Sequence, residues 1–156
     1  MNIFKVVLTG PSNVGKTAMI KKLLTGEDTT NYISTLGVEV HPITFNTNYG
    51  FMTCNTWDTS GNNLFRGNFD EYCSKADGVL LCGFSKHQSY IEPFASEAKL
   101  VVPNAKYIVC YMDNKVNNIL DYPFINIDVK SLADILKAFE RLLQLLAGYH
   151  DLVILS

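Results

Sequence analysis

Gly10-Pro11-Ser12-Asn13-Val14-Gly15-Lys16-Thr17 stands between a β-rich run, Ile3 to Thr9, and a helical stretch, Lys16 to Leu24. The eight residues fill the pattern GxxxxGK[ST] in the strand, loop and helix context that it requires. In such a loop, backbone N–H groups curl around a β-phosphate at a helix N-terminus, where the helix dipole also favours an anion. Lys16 would bridge β- and γ-phosphates as a point charge, and Thr17 would give its hydroxyl to Mg²⁺. The contact set at this end is Gly10, Ser12, Asn13, Val14, Gly15, Lys16, Thr17 and Ala18. A plain glycine-rich turn with a solvated Lys16 is the alternative, but it gives the lysine and threonine no packing reason to follow the second glycine.

Outward from the loop, strand-like and helix-like runs alternate, the pattern of an α/β fold whose parallel strands need helical crossovers. Val38 to Phe45 and Phe51 to Trp57 read as two strands joined by Asn48-Tyr49-Gly50, residues that accept positive φ, so this pair is an antiparallel hairpin. Gly78 to Phe84 and Lys106 to Met112 lack polar alternation, as expected of central strands covered on both faces. From Ser131, a favoured N-cap residue, Leu132, Ile135, Leu136, Phe139, Leu142, Leu143 and Leu146 recur at three and four, and Gly148 supplies the stop. No repeat, linker or composition shift marks a second domain, so residues 1–156 read as one.

The chain has 156 residues, 47% of them apolar and 18% charged, which suits a folded core without disulfides or metals to support it. Thirteen Lys+Arg against fifteen Asp+Glu leave a net charge of −2, and Arg66 and Arg141 are the only arginines, so nucleic acid is excluded as a partner. Cys54, Cys73, Cys82 and Cys110 show neither CxxC nor zinc-type His spacing, which favours free buried thiols over a metal site. No run approaches the roughly 20 apolar residues that span a bilayer, and the final residues carry no prenylatable cysteine. The expectation is an intracellular protein of the cytoplasm or nucleus without a lipid anchor.

Asn31-Tyr32-Ile33-Ser34-Thr35-Leu36-Gly37-Val38-Glu39-Val40-His41-Pro42 and Trp57-Asp58-Thr59-Ser60-Gly61 follow the phosphate loop at the spacing of the two switches in Ras-superfamily GTPases. The stretch resembles Ran in Gly-Val-Glu-Val-His-Pro and Rab proteins in Tyr-Ile-Ser-Thr. With Asn114-Lys115-Val116, a shortened guanine-specifying motif, the resemblance runs from Ile3 to about Leu146. It implies a six-stranded, mainly parallel sheet with helices on both faces, GTP or GDP with Mg²⁺, and protein effectors or regulators of the transport-receptor or traffic type at the switches. It makes Thr35 the residue that reaches Mg²⁺ when a γ-phosphate is present, Asp58 the carboxylate holding Mg²⁺ through water, and Gly61 an N–H donor to the γ-phosphate. These contacts form with the triphosphate and vanish with the diphosphate, which orders or relaxes two loops. Taken alone, Thr35 has the alternative of opening a strand and Asp58 that of capping a turn.

Departures from the family gather at the nucleotide. Where the family has a water-orienting glutamine, Asn62 is one methylene shorter; with Lys16 it completes the hydrolytic pair. An amide stopping about 1 Å short can cost on the order of 100-fold in rate. Asp28 stands where the family packs an aromatic ring against the base. Asn117 replaces the carboxylate that accepts from guanine N1–H and the 2-amino group, and its amide suits xanthine, whose 2-position carries a carbonyl. The loop against the base oxygen reads Asp128-Val129-Lys130, with only the lysine of the family's Ser-Ala-Lys retained. Between Asn117 and Asp128 there is room for a strand at Tyr122 to Ile127 but not for the family's fourth helix, which is expected to be missing.

Two readings compete. One is a Ran-like nucleotide-dependent switch with weak hydrolysis. The other is a degenerate, non-cycling binding module that keeps Glu39, Val40, His41, Pro42 and Trp57 and occupies partners of a cellular GTPase. A small-molecule P-loop kinase would need several lid arginines, which two in the whole chain do not provide.

Overall fold

The computed structural model describes residues 2–24, 31–33, 38–59, 69–113 and 120–155. Along the chain it has β1 (Asn2–Thr9), α1 (Lys16–Leu23), β2 (Asn31–Ile33), β3 (Val38–Thr47), β4 (Gly50–Asp58), α2 (Phe69–Cys73) and β5 (Gly78–Gly83). A 3₁₀ segment (Ser85–Tyr90), α3 (Glu92–Val101), β6 (Lys106–Tyr111), β7 (Phe124–Asn126) and α4 (Leu132–Ala147) complete it.

The strands form one sheet in the order β2-β3-β4-β1-β5-β6-β7. The pairs from β4 across to β7 are parallel, while β2 with β3 and β3 with β4 are antiparallel. All six strands read from the sequence are present, and the three-residue edge strand β2 is a seventh. It escaped the sequence pattern because three residues give no period to read.

Strand alternation divides the core between two faces. Val6 and Leu8 of β1, Leu80 and Cys82 of β5 and Ile108 and Cys110 of β6 point to the side covered by α1 and α4. Their neighbours Val7, Val79, Leu81, Tyr107, Val109 and Tyr111 meet Phe69, Tyr72, Ala95 and Ala98 on the other side. Every residue of β5 is buried, as its unbroken apolar run requires of a central parallel strand.

Helix α4 opens at Ser131, whose side chain accepts from the Asp134 N–H, and closes at Gly148 with φ of 78°. Ile135, Phe139, Leu142 and Leu143 are fully buried, each contributing roughly 1.5–3 kcal/mol before the entropy of ordering is set against it. Leu132, in the first turn, is instead exposed.

The β3–β4 hairpin turns through Asn48 and Tyr49 into Gly50, at φ of 97°. The chain after α4 returns to its tip. Ile154 bridges to Thr47, the Leu155 N–H donates to the Asn46 carbonyl at 2.7 Å, and the Val153 N–H donates to Asn48 Oδ1 at 2.8 Å. Tyr49 stacks on Tyr149 with ring centres 4.0 Å apart, and its hydroxyl donates to Asp151.

Between β6 and β7, none of Met112, Asp113 and residues 120–123 is helical, and residues 114–119 lie outside the described ones. The strand expected over Tyr122 to Ile127 is confined to Phe124–Asn126. All four cysteines are buried and free, and burial pushes the Cys54 thiol up to about 12 and Cys73 to about 11. Among the described residues no helix is long and apolar enough to cross a membrane.

Candidate functional site

Parallel strands of an open sheet present their C-terminal ends to one crevice, and a ligand sits where the connections diverge to opposite sides. Here the divergence flanks β1, with β4 on one side and β5 on the other. The loop 10–15 leaves β1 at this point, Asp58 ends β4, the 3₁₀ segment follows β5, Asp113 follows β6, and residues 128–130 follow β7.

The loop's shape depends on residues that tolerate positive φ: Gly10 at 141°, Asn13 at 63° and Gly15 at 108°. Gly10 lies against β5 so closely that a Cβ would stand 2.0 Å from the Cys82 carbonyl oxygen. Val14 turns inward and is buried, which holds the loop to the core, while Ser12 and Asn13 remain exposed.

Lys16 is buried, at 3% exposure, and its Nζ donates to the carbonyls of Gly10 at 2.7 Å and Pro11 at 2.6 Å. Burial lowers its pKa below the ordinary lysine value, with Cys82 and Asp58 opposing. An ammonium in that position is short of compensating charge, and a phosphate is the group that supplies it. A cavity of about 210 Å³ lies over the loop, lined by Ser12, Asn13, Gly15, Lys16, Thr17 and Ala18.

Beside it the Thr17 hydroxyl donates to Asp58 Oδ2 at 2.8 Å, joining the first turn of α1 to the end of β4. Two oxygen donors at one edge of a phosphate cavity suit a hard divalent cation such as Mg²⁺, which keeps water and takes few protein ligands. The following residue fixes the strand end, for the Thr59 Oγ1 donates to the Leu8 carbonyl at 2.8 Å.

The far wall comes from later in the chain. A Cβ on Gly15 would lie 3.1 Å from Val129 Cγ1 and 3.4 Å from Met112 Cε, so both side chains close on the phosphate loop. The 128–130 turn is held by the Lys130 N–H on Asp128 Oδ1 at 2.9 Å and the Asp128 N–H on Asp134 Oδ2 at 3.0 Å. Lys130 itself is exposed.

Asp113 is bonded by the Ser85 N–H and hydroxyl, both at 3.0 Å, and by the Lys86 N–H. Burial works against its ionisation, yet these bonds hold its carboxyl below the usual range. It locks the end of β6 to the 3₁₀ segment immediately before Asn114. No motif marks it, because its partners lie 28 and 27 residues away.

The structure thus brings together Gly10 to Ala18, Asp58 and Val129, with Lys130 on the adjoining turn. Thr35, Gly61, Asn62, Asn114, Lys115 and Asn117, together with Asp28, lie outside the described residues.

The protein-family model described as "Ras of Complex, Roc, domain of DAPkinase" matches residues 5–117, well over half the chain. The chain belongs to the Roc family. A Roc domain is a Ras-superfamily GTPase domain, so membership carries guanine-nucleotide binding, typically with Mg²⁺. The Roc match begins in β1, takes in the phosphate loop, Asp58 and the 3₁₀ segment, and stops before β7 and α4.

Proposed function

We propose that residues 1–156 act as a single Ran-like G domain, a nucleotide-dependent switch with slow intrinsic GTP hydrolysis. The observation that carries this reading is the buried Lys16 ammonium aimed into the loop cavity beside the 2.8 Å Thr17–Asp58 pair. Ran-likeness rests on Gly37-Val38-Glu39-Val40-His41-Pro42 alone. In this reading the backbone of residues 10–15 and Lys16 hold the β- and γ-phosphates. Thr17, Asp58 and, in the triphosphate state, Thr35 hold Mg²⁺, which supplies charge neutralisation between those phosphates. Gly61 senses the γ-phosphate, and Asn114, Lys115, Asn117, Val129 and Lys130 surround the base. Mass spectrometry of the nucleotide released from purified protein tests it; a chain without guanine nucleotide that also fails to take up GDP would end this reading.

Hydrolysis is expected to be slow because Asn62 under-reaches the attacking water. Single-turnover measurement should show Asn62→Gln faster by on the order of 10- to 100-fold, the scale of a 1 Å misplacement corrected. An already fast wild type with no gain from glutamine would mean that another residue positions the water.

Base selectivity is expected to be relaxed toward xanthine. The Asn117 amide donates to the xanthine 2-carbonyl while accepting from N1–H, whereas against guanine one donor faces another. A mismatch of that kind costs roughly 1–3 kcal/mol, or about 5- to 150-fold. Affinities for GDP and XDP should therefore cross over in Asn117→Asp, and an unmoved ratio would show that residue 117 does not read the base.

The second reading, a non-cycling module, is favoured by the large apolar groups exposed on β1 and β4. Phe51 and Ile3 are exposed at 57% and 61%, and Trp57 is half-buried with the Lys5 ammonium 3.9 Å from its ring centre. Failure to exchange nucleotide, with partner binding intact, distinguishes it from the switch.

A further inference from the structure

Strand register gathers a second set of metal-ligating groups next to Thr17. Glu39 of β3 lies directly opposite Asp58 of β4, and His41, two residues along β3, points to the same face. One ligand atom from each of Glu39, His41 and Asp58 can be chosen so that all lie within 4.8 Å of one another. Within the group, His41 Nε2 and Glu39 Oε2 are 3.2 Å apart. His41 and Asp58 are 4% and 3% exposed, while the Glu39 side chain is 46% exposed and opens the group to solvent.

We propose that Glu39, His41 and Asp58 form a binding site for a transition-metal divalent ion, of the Zn²⁺ or Co²⁺ class, distinct in chemistry from the Mg²⁺ position at Thr17. Bonds of about 2.0–2.2 Å in a tetrahedral site place neighbouring donors about 3.3–3.6 Å apart, close to the 3.2 Å between His41 and Glu39. The Glu39 carboxylate, the exposed member of the set, is able to turn toward an ion held by His41 and Asp58. Mg²⁺ takes oxygen ligands and dehydrates reluctantly, so an imidazole donor selects against it; one nitrogen and two carboxylates suit Zn²⁺, Co²⁺ or Mn²⁺. Binding uses neutral imidazole with its proton on the nitrogen that does not face the ion, and forms no other bond.

The shared residue gives the site a consequence. Asp58 accepts from Thr17 at 2.8 Å, so an ion on Glu39, His41 and Asp58 fastens β3 to β4 at the point where β4 meets α1. The site stands on this geometry and not on the nucleotide reading.

The test is titration of Co²⁺ into the full chain in excess Mg²⁺, followed by its visible ligand-field absorption and by the paramagnetically shifted imidazole proton in NMR. One Co²⁺ per chain is expected, with one shifted imidazole signal that is absent in His41→Ala. Glu39→Gln, at the exposed member, keeps the fold and should weaken Co²⁺ binding by more than about 10-fold, the lower bound for losing even a supporting contact. Displacement of Co²⁺ by Mg²⁺, or unchanged affinity in both variants, would overturn the site; unchanged affinity would put the ion on the buried thiols or on His87 or His150 instead. GDP retention measured in parallel separates this outcome from failure of the switch reading.

Discussion

Lys16→Ala is expected to lose a non-hydrolysable GTP analogue by on the order of 100- to 10,000-fold in equilibrium binding. The ammonium would make two charge-assisted contacts to phosphate, at about 1.5–3 kcal/mol each. The carbonyls of Gly10 and Pro11 lie within hydrogen-bond reach of Nζ. Removing the amine takes one donor from the buried Gly10 carbonyl and leaves the part-buried Pro11 carbonyl to water, a loss small against the stability of a domain, so the fold should survive. Lys16→Met keeps the apolar stem in its buried channel and removes only the charge. Both variants should melt within a few degrees of wild type while failing to retain nucleotide. Affinity that held in Lys16→Met would mean that the loop does not bind phosphate through this residue.

Gly10→Ala should damage stability more than any other change in the loop. At φ of 141° an L side chain is strained, at a cost of order 1–3 kcal/mol. The added Cβ would also stand 2.0 Å from a backbone oxygen of β5, an atom that cannot turn aside as a flexible side chain would. Together these amount to about 3 kcal/mol or more, a large fraction of the 5–15 kcal/mol by which domains are stable. For a chain of this size that is a fall of about 10 °C in Tm. A scanning calorimetry trace superimposable on wild type would show that the loop is not seated on Cys82.

The phosphate loop was readable because all its determinants are local: a strand, two glycines, a lysine and a helix within 22 residues. Central strands were readable for a related reason, since Gly78 to Gly83 and Lys106 to Tyr111 are buried on both faces and carry no polar alternation. Helix α3 was not, because two alanines, Ala95 and Ala98, make its fully buried contacts and an alanine stripe barely raises the apolar period. Five-residue α2 and three-residue β2 are too short to show any period. The Glu39, His41 and Asp58 grouping depends on which residue of β3 faces which residue of β4, and the lock of Asp113 on Ser85 depends on two strand ends meeting. Both are products of register. Of the site residues, Val129 was named only through the family resemblance, yet the fold sets it against Gly15.

The chain after α4 leaves the β3–β4 hairpin anchored at the end remote from the phosphate loop. Asn46, Thr47, Asn48 and Tyr49 are all engaged by residues 149–155, through backbone, amide and ring contacts at once. A two-residue slide of β3 along β4 would break every one of those engagements. The hairpin therefore behaves as a cantilever clamped at its tip: displacement started at Asp58 by a change in phosphate or ion must be taken up as bending near residues 38–42, with no travel of the strand as a piston toward the opposite end of the molecule.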